Sequence, residues 1–264
     1  MAAILFDLDG VLYQGDRAIA GAAAAVVWFQ SRNVPHLFVT NTTSRPRRAL
    51  VEKLAGFGIR VDDRRLLTPP VAAVHWLAQQ VPGEIALYVP AATRDEFAQL
   101  STAAPGTAEV GAVVVGDLGH EWRFETLNEA FRQLMGPSRP PLVALGMTRY
   151  WQTPQGLQLD AGPFVAALSY AAGVEPVVMG KPAAGFFAAA SAILGSTASG
   201  TVMIGDDIRG DIEGAQAAGL RTVLVRTGKF RPADLEVGVT PDAVLDSVAD
   251  LPEWWRRHYD EAGD

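Results

Sequence analysis

The chain has 264 residues, is 49% hydrophobic, carries a net charge of −7 and contains no cysteine. That is enough apolar material for one large domain or two smaller ones, while disulfides, thiolate metal sites and a cysteine nucleophile are excluded. The acidic balance argues against general nucleic-acid binding, which relies on cations to neutralise phosphates, and no apolar run approaches the roughly 20 residues of a membrane span.

The first residues hold neither a basic region nor a signal-type cleavage pattern, so a cytoplasmic protein without a membrane partner is expected. Ile4–Leu8 reads as a strand, Ala18–Arg32 as a helix, Pro35–Thr40 as a strand and Arg47–Phe57 as a helix. Ser44 before Pro46 supplies a helix-start signal, and Gly56 and Gly58 a stop. Leu66–Pro70 reads as a short edge element ahead of helix Val71–Gln80. In the middle, strands Glu84–Val89, Val110–Val115 and Pro141–Gly146 alternate with helices Arg94–Leu100, Phe124–Met135 and Pro163–Ala172. Joints containing Pro or Gly, Gln79–Gly83 and Gly173–Pro176, flank this stretch. The expected division is therefore a core of residues 1–81 and 177–264 and an inserted αβ domain of residues 82–176. Helix Gly185–Gly195, strand Gly200–Ile204, helix Gly210–Ala218 and strand Arg221–Arg226 resume the first pattern. Such alternation predicts an α/β fold with a doubly wound parallel sheet. From Pro252 onward, Trp254 and Trp255 among charges predict a closing amphipathic helix packed on the core.

Four segments carry chemistry. Ile4–Tyr13 runs from apolar residues into Asp7 and Asp9 and then turns at Gly10. Ligands gather at the carboxyl ends of parallel strands, and two close acids need a cation or a proton to compensate them. A calcium loop would continue with further oxygen ligands and a closing Glu, whereas Val11-Leu12-Tyr13 follows here, which favours a magnesium–phosphate site. At Phe38–Ser44 an apolar strand breaks into Thr40, Asn41, Thr42 and Thr43. Thr40 can donate to a phosphate oxygen; the alternative is a Ser/Thr-rich N-cap loop, and the segment alone does not choose. Lys181, in the turn Gly180-Lys181-Pro182, is a surface charge unless an anion site lies beside it. Met203–Asp211 runs through Gly205 into Asp206, Asp207 and Asp211, of which Asp211 is the one expected to cap the following helix.

In this order, the strand-end acid pair, strand-end Thr, loop Lys and strand-end acid cluster resemble the four motifs of the haloacid dehalogenase superfamily. The chain is similar to its phosphatases with an αβ cap between the second and third motifs (subfamily IIA). Core matches run from Leu5 to Lys53 and from Met179 to about Leu235, and cap matches include Arg149-Tyr150 and Gly156–Phe164. Thr40-Asn41, Met203–Asp207, Gly214-Ala215-Gln216 and Val225–Pro232 look most like the phospholysine phosphohistidine inorganic pyrophosphate phosphatase group. Members of that group have Ser where this chain has Asp9, so their substrate is not carried over.

The resemblance implies a magnesium-dependent phosphatase acting on a small phosphorylated metabolite: a phosphomonoester, with pyrophosphate and phosphoamino acids as alternatives. Asp7 would be the nucleophile and Asp9 the general acid and base. The metal ligands would be the Asp7 carboxylate, the Asp9 carbonyl and the Asp206 carboxylate, with Asp207 and Asp211 behind them holding waters and orienting Lys181. Thr40, Asn41 and Lys181 would bind the phosphoryl oxygens. In the cap, Gly146–Asp160 is the expected substrate-facing loop, with Arg149 meeting an anionic group and Tyr150 and Trp151 flanking a ring, unless these aromatics are simply the core of a hairpin. The resemblance also suggests a homodimer, which composition does not require. Asp9 and Asp206 disfavour a dehalogenase, and the αβ insert disfavours a phosphomutase. A non-catalytic phospho-ligand sensor on the same fold is disfavoured by the full set of acids, Thr40 and Lys181.

Overall fold

Strand β1 (Ala3–Asp7) is buried at all five positions, as a strand with neighbours on both sides and helices on both faces must be. The structure, a computed structural model, describes residues 2–43, 45–153 and 155–260; Ser44 and Pro154, to which the sequence assigns a helix start and a turn, lie outside them.

After β1, a two-residue hairpin (β2, Tyr13–Gln14; β3, Arg17–Ala18) leads to helix α1 (Ala22–Ser31), then β4 (His36–Val39), α2 (Arg47–Gly56) and β5 (Leu66–Leu67). The helix expected from Ala18 starts later because Arg17 and Ala18 pair with Gln14 and Tyr13 and Gly21 takes a left-handed φ of 79°. Helix α3 (Pro69–Gln80) opens on two prolines, whose fixed φ suits a first turn.

The middle of the chain supplies β6 (Ile85–Tyr88), α4 (Ala91–Arg94), β7 (Ala112–Val115), α5 (Phe124–Leu134), β8 (Leu142–Ala144), the hairpin β9 (Tyr150–Thr153) and β10 (Gly156–Leu159), α6 (Ala161–Ala172) and β11 (Val177–Val178). The helix expected at Arg94–Leu100 is instead α4 followed by a 3₁₀ turn, Asp95–Phe97, that drives Phe97 into the interior. Helix α6 is capped at both ends, by the Asp160 side chain on the Ala161 N–H and by left-handed Gly173. Helix α7 (Ala184–Leu194), β12 (Thr201–Gly205), a wide helical turn Ile208–Glu213 running into α8 (Gly214–Ala217), β13 (Arg221–Val225), β14 (Ala243–Leu245) and α9 (Leu251–Trp255) complete the chain.

Two compact units result: Met1–Thr40, Arg47–Leu67 and Lys181–Asp264 form one, Asn41–Pro46 and Thr68–Gly180 the other. The first holds a parallel six-stranded sheet of order β14-β13-β12-β1-β4-β5, and the second a parallel four-stranded sheet of order β11-β8-β7-β6. This division differs from the expected one at both joints. Residues 177–178 pair with Val143 and Ala144 as an edge strand of the second sheet, and α3 packs on the turn Asp95–Phe97 of the same unit.

Each unit has its own apolar core. In the first, Phe6 stacks on Phe38 and meets Phe29 edge-on, with centroids 5.6 and 5.5 Å apart. Trp255 of the closing helix covers Phe29 at 5.2 Å, as the amphipathic tail predicts. In the second, β6, β7 and β8 pack against α5 and α6 around Val113, Val115, Leu134, Val165 and Leu168. There the Tyr88 hydroxyl donates to Gln133 Oε1, and Gln133 Nε2 donates to the Thr107 carbonyl, both at 2.8 Å, so these polar atoms are satisfied inside. No described helix is long and apolar enough to cross a membrane.

Candidate active site

Strand order in the first sheet reverses between β1 and β12, and at such a switch point the loops leaving two adjacent strands diverge and open a crevice. Asp7 ends β1. The register pairs Phe6 with Ile204 and Asp7 with Val39, so Asp206 and Thr40, which directly follow β12 and β4, emerge at the same edge. The turn after Asp7 approaches Asp206 so closely that a Cβ on Gly10, at φ 91°, would strike the Asp206 carboxylate. Only glycine serves there.

Asp7, Asp206 and Asp211 are buried, and one carboxylate oxygen from each lies within 4.8 Å of the others. Lys181 is buried among them, its Nζ 2.5 Å from Asp7 Oδ1 and 2.6 Å from Asp211 Oδ1. Burial pushes the Asp7 carboxyl up to about 7, with Lys181 opposing and Asp211 and Asp206 adding to the rise. Burial likewise raises Asp206 to about 6, against the pull of its bond from the Lys229 N–H. For Lys181 burial acts against the charge, but Asp211 and Asp7 outweigh it and hold the ammonium above the ordinary lysine value. One buried cation, Lys181, therefore stands among three buried acids, with exposed Lys229 acting on Asp206 and Asp211 from outside. Asp206 Oδ1, fully buried, has no hydrogen-bond partner. A hard divalent ion with oxygen ligands fits this donor set, because it would compensate the excess charge and engage the orphaned oxygen.

Asp9 is exposed, and its side chain stands outside the carboxylate cluster. Thr40 is buried, its N–H donating to the Leu67 carbonyl at 3.1 Å. Asn41, next in the chain, packs with the second unit. The cap expected from Asp211 is supplied by Asp207 instead. Asp207 caps the turn Ile208–Glu213, its Oδ1 accepting from the Arg209 and Gly210 N–H groups at 3.1 and 2.9 Å. Burial disfavours its charge, but the Gly210 bond and Lys229 outweigh that and hold Asp207 below the usual carboxylate range. Asp211, one turn further, points back into the site instead: its Oδ2 accepts from the Asp206 and Asp207 N–H groups at 3.2 and 3.3 Å while Oδ1 holds Lys181.

Arg149 is exposed in the second unit just before β9, its guanidinium 5.9 Å from the Tyr150 ring centre. Tyr150 is itself 51% exposed, so it is not core of its hairpin; the side chain of Trp151 lies outside the described residues.

Sequence reasoning assigned no role to Thr227, Gly228 and Lys229. The Thr227 hydroxyl donates to the Gly10 carbonyl, and the Lys229 N–H donates to Asp206 Oδ2, both at 2.5 Å. Lys229 Nζ pairs with Asp207 Oδ2 at 3.1 Å. The signal was present: β13, like β1, β4 and β12, is an apolar strand that breaks at this edge into polar residues and glycine.

Comparison with known proteins agrees with this geometry. Residues 4–101 match the family model of haloacid dehalogenase-like hydrolases, and residues 178–251 match a HAD-hydrolase-like model. Human phospholysine phosphohistidine inorganic pyrophosphate phosphatase is 37% identical over 98% of this chain and 95% of its own. Bovine haloacid dehalogenase-like hydrolase domain-containing protein 2 is 38% identical over 89% of this chain and 87% of its own. The p-nitrophenyl phosphatase of Archaeoglobus fulgidus superposes with a TM-score of 0.85 at 27% identity, covering 96% of this chain and 98% of that one.

Proposed function

This chain belongs to the haloacid dehalogenase-like hydrolases and is a phosphatase of that family, and from that premise we propose that it is a magnesium-dependent phosphatase of small phosphorylated metabolites that works through a phosphorylated Asp7. The reading rests on one observation above the others. A buried strand-end carboxylate, Asp7, has a fixed ammonium on one oxygen and lies beside Asp206, whose second oxygen is orphaned.

In the proposed reaction an Asp7 oxygen attacks phosphorus, the bond from phosphorus to the leaving oxygen breaks, and Asp9 gives that oxygen its proton. A water then attacks the phosphorus of the Asp7-bound phosphoryl group while Asp9 takes the water's proton, and the bond from phosphorus to the Asp7 oxygen breaks with its electron pair returning to the Asp7 carboxylate, which releases phosphate. Asp9 suits proton traffic because it is exposed, whereas buried Asp7 is held in place by Lys181. Lys181, the Thr40 hydroxyl and the Asn41 N–H bind the phosphoryl oxygens, where charge is stabilised during transfer. Magnesium, held by the carboxylates of Asp7 and Asp206 and the Asp9 carbonyl, supplies positive charge that keeps Asp7 ionised and offsets that of the phosphoryl group. Asp211 positions Lys181 and the Asp206 backbone.

The test is phosphate release from p-nitrophenyl phosphate with magnesium present. Asp7→Asn should lower turnover by about three orders of magnitude or more, while Asp9→Asn should accept a phosphoryl group on Asp7 and fail to release it. Near-normal turnover by Asp7→Asn would end the covalent mechanism. Full activity in excess EDTA would end the metal assignment.

A further inference from the structure

Within the second unit lies a cleft of about 390 Å³, lined among others by Trp76, Val110, Ser138, Arg139, Pro140 and Pro141. It opens at the amino-terminal edge of the four-stranded sheet, where Gly111 and Pro141 directly precede β7 and β8, opposite the carboxyl edge at which parallel sheets usually bind ligands. All its lining residues belong to the second unit, whereas Asp7, Lys181 and Asp206 belong to the first.

Arg139 is the unusual residue of this cleft. Its φ is 48°, in the left-handed region, which costs a side chain free energy that glycine avoids. It also precedes Pro140, which pushes the preceding residue toward extended backbone. A bond from its N–H to the Gly136 carbonyl at 3.0 Å holds the turn. The guanidinium has poor partners: Nη1 donates to the Met135 sulfur, a weak acceptor, and Nη2 reaches the Ala172 carbonyl at 3.4 Å. Among the described residues no carboxylate pairs with it, and no other charged residue lines the cleft. Arg139 is exposed, and a strained backbone that holds a guanidinium with no carboxylate partner among the described residues beside a concave wall points to recognition.

The walls indicate what is recognised. Trp76 offers a flat aromatic ring, three prolines (Pro82, Pro140 and Pro141) offer rigid apolar surface, and Ser138 and Gln80 add polar groups. The volume falls within the roughly 300–1,000 Å³ of small-molecule sites. A single guanidinium matches a single carboxylate through its fork of donors, whereas a doubly charged phosphate would need a second cation. We infer that this cleft binds a small aromatic carboxylate, its ring against Trp76 and the prolines and its anionic group on Arg139.

The probe is 1-naphthoate, titrated calorimetrically into the full chain, with neutral 1-naphthamide as control. Wild-type protein should bind naphthoate saturably and naphthamide at least about tenfold more weakly. Arg139→Gly should lose naphthoate affinity by about tenfold or more while melting at or above the wild-type temperature, because glycine accepts the left-handed turn. Arg139→Asn, which also tolerates that backbone, should behave alike and serves if the glycine variant folds poorly. No saturable binding at about 10 mM naphthoate, equal binding of the amide, or wild-type affinity in the folded Arg139 variants would each overturn the inference.

Discussion

The balance of charge around Asp206 shows what one buried residue does here. Its carboxylate is almost fully buried, with one oxygen on the Lys229 N–H and the other without a partner. A charge in that position destabilises the fold unless something neutralises it. Under the proposed metal assignment, magnesium should raise the melting temperature of wild-type protein, by an amount equivalent to about 2.7 kcal/mol at a hundred times Kd. Asp206→Asn should lose most of that gain, yet in EDTA it should melt at or above wild type, because it removes the penalised charge while its amide oxygen can still accept from Lys229. Thermal unfolding with and without magnesium decides the matter, and a D206N protein that keeps the full magnesium shift refutes Asp206 as a ligand. The residue scale is also where reading the sequence went astray. Three acids in Asp206–Asp211 are legible as a cluster, but which of them caps the helix depends on the direction each side chain takes. The helix after Asp207 begins as a wide turn that swings Asp211 inward to Lys181 and leaves Asp207 to cap.

Strand β4 shows how one element carries both the site and a pH dependence. Its carboxyl end delivers Thr40 to the crevice, and at its other end His36 enters the sheet half-buried, its ring 5.6 Å from Phe38 and edge-on to it. His36 Nδ1 donates to the Val34 carbonyl at 2.8 Å, while Arg65 donates to the His36 carbonyl at 3.2 Å. Burial lowers the His36 pKa below 6.5; the Val34 bond opposes that shift and the Arg65 charge adds to it. The folded state therefore takes up this proton at lower pH than the unfolded chain, so the unfolded state holds more protons in the window just below 6.5. His36's contribution to stability is complete above that window and is lost as pH falls through it. Urea unfolding between about pH 7 and 5 should show a shallower loss of stability for His36→Gln than for wild type. Identical slopes would mean that His36 titrates alike in both states. Elements were legible wherever periodicity ran long, as in α5 and α6. Of the short ones, edge strand β5 was legible, but β14 and the β2–β3 hairpin were not: they have two or three residues each and exist because an existing edge or turn offers hydrogen bonds.

At the scale of the whole molecule, two units with separate cores should respond separately to damage. Leu134 is fully buried between α5 and the second sheet, and Leu134→Ala should cost about 2–5 kcal/mol. Hydrogen exchange should then show faster exchange in β7 and β8 and little change in β1 and β12. Equal loss of protection in both sheets would show that the chain unfolds as one cooperative body. The alternation of strands and helices and the place of each polar break at a strand end were determined by the local pattern of residues, since an apolar run that meets Asp, Thr or Gly must leave the interior there. This is why the strand ends at Asp7, Thr40 and Asp206 are legible in the sequence, whereas the choice between a phosphate donor and a capping loop at Thr40 is not. Where the units divide was decided by tertiary structure: Val177–Val178 looks like the start of the returning core but hydrogen-bonds to β8, because pairing is set by which edge is open and not by sequence order. The same holds for Thr227, Gly228 and Lys229, which lie far along the chain from Gly10 and meet it and Asp206 because parallel pairing brings the ends of β1, β12 and β13 to one edge.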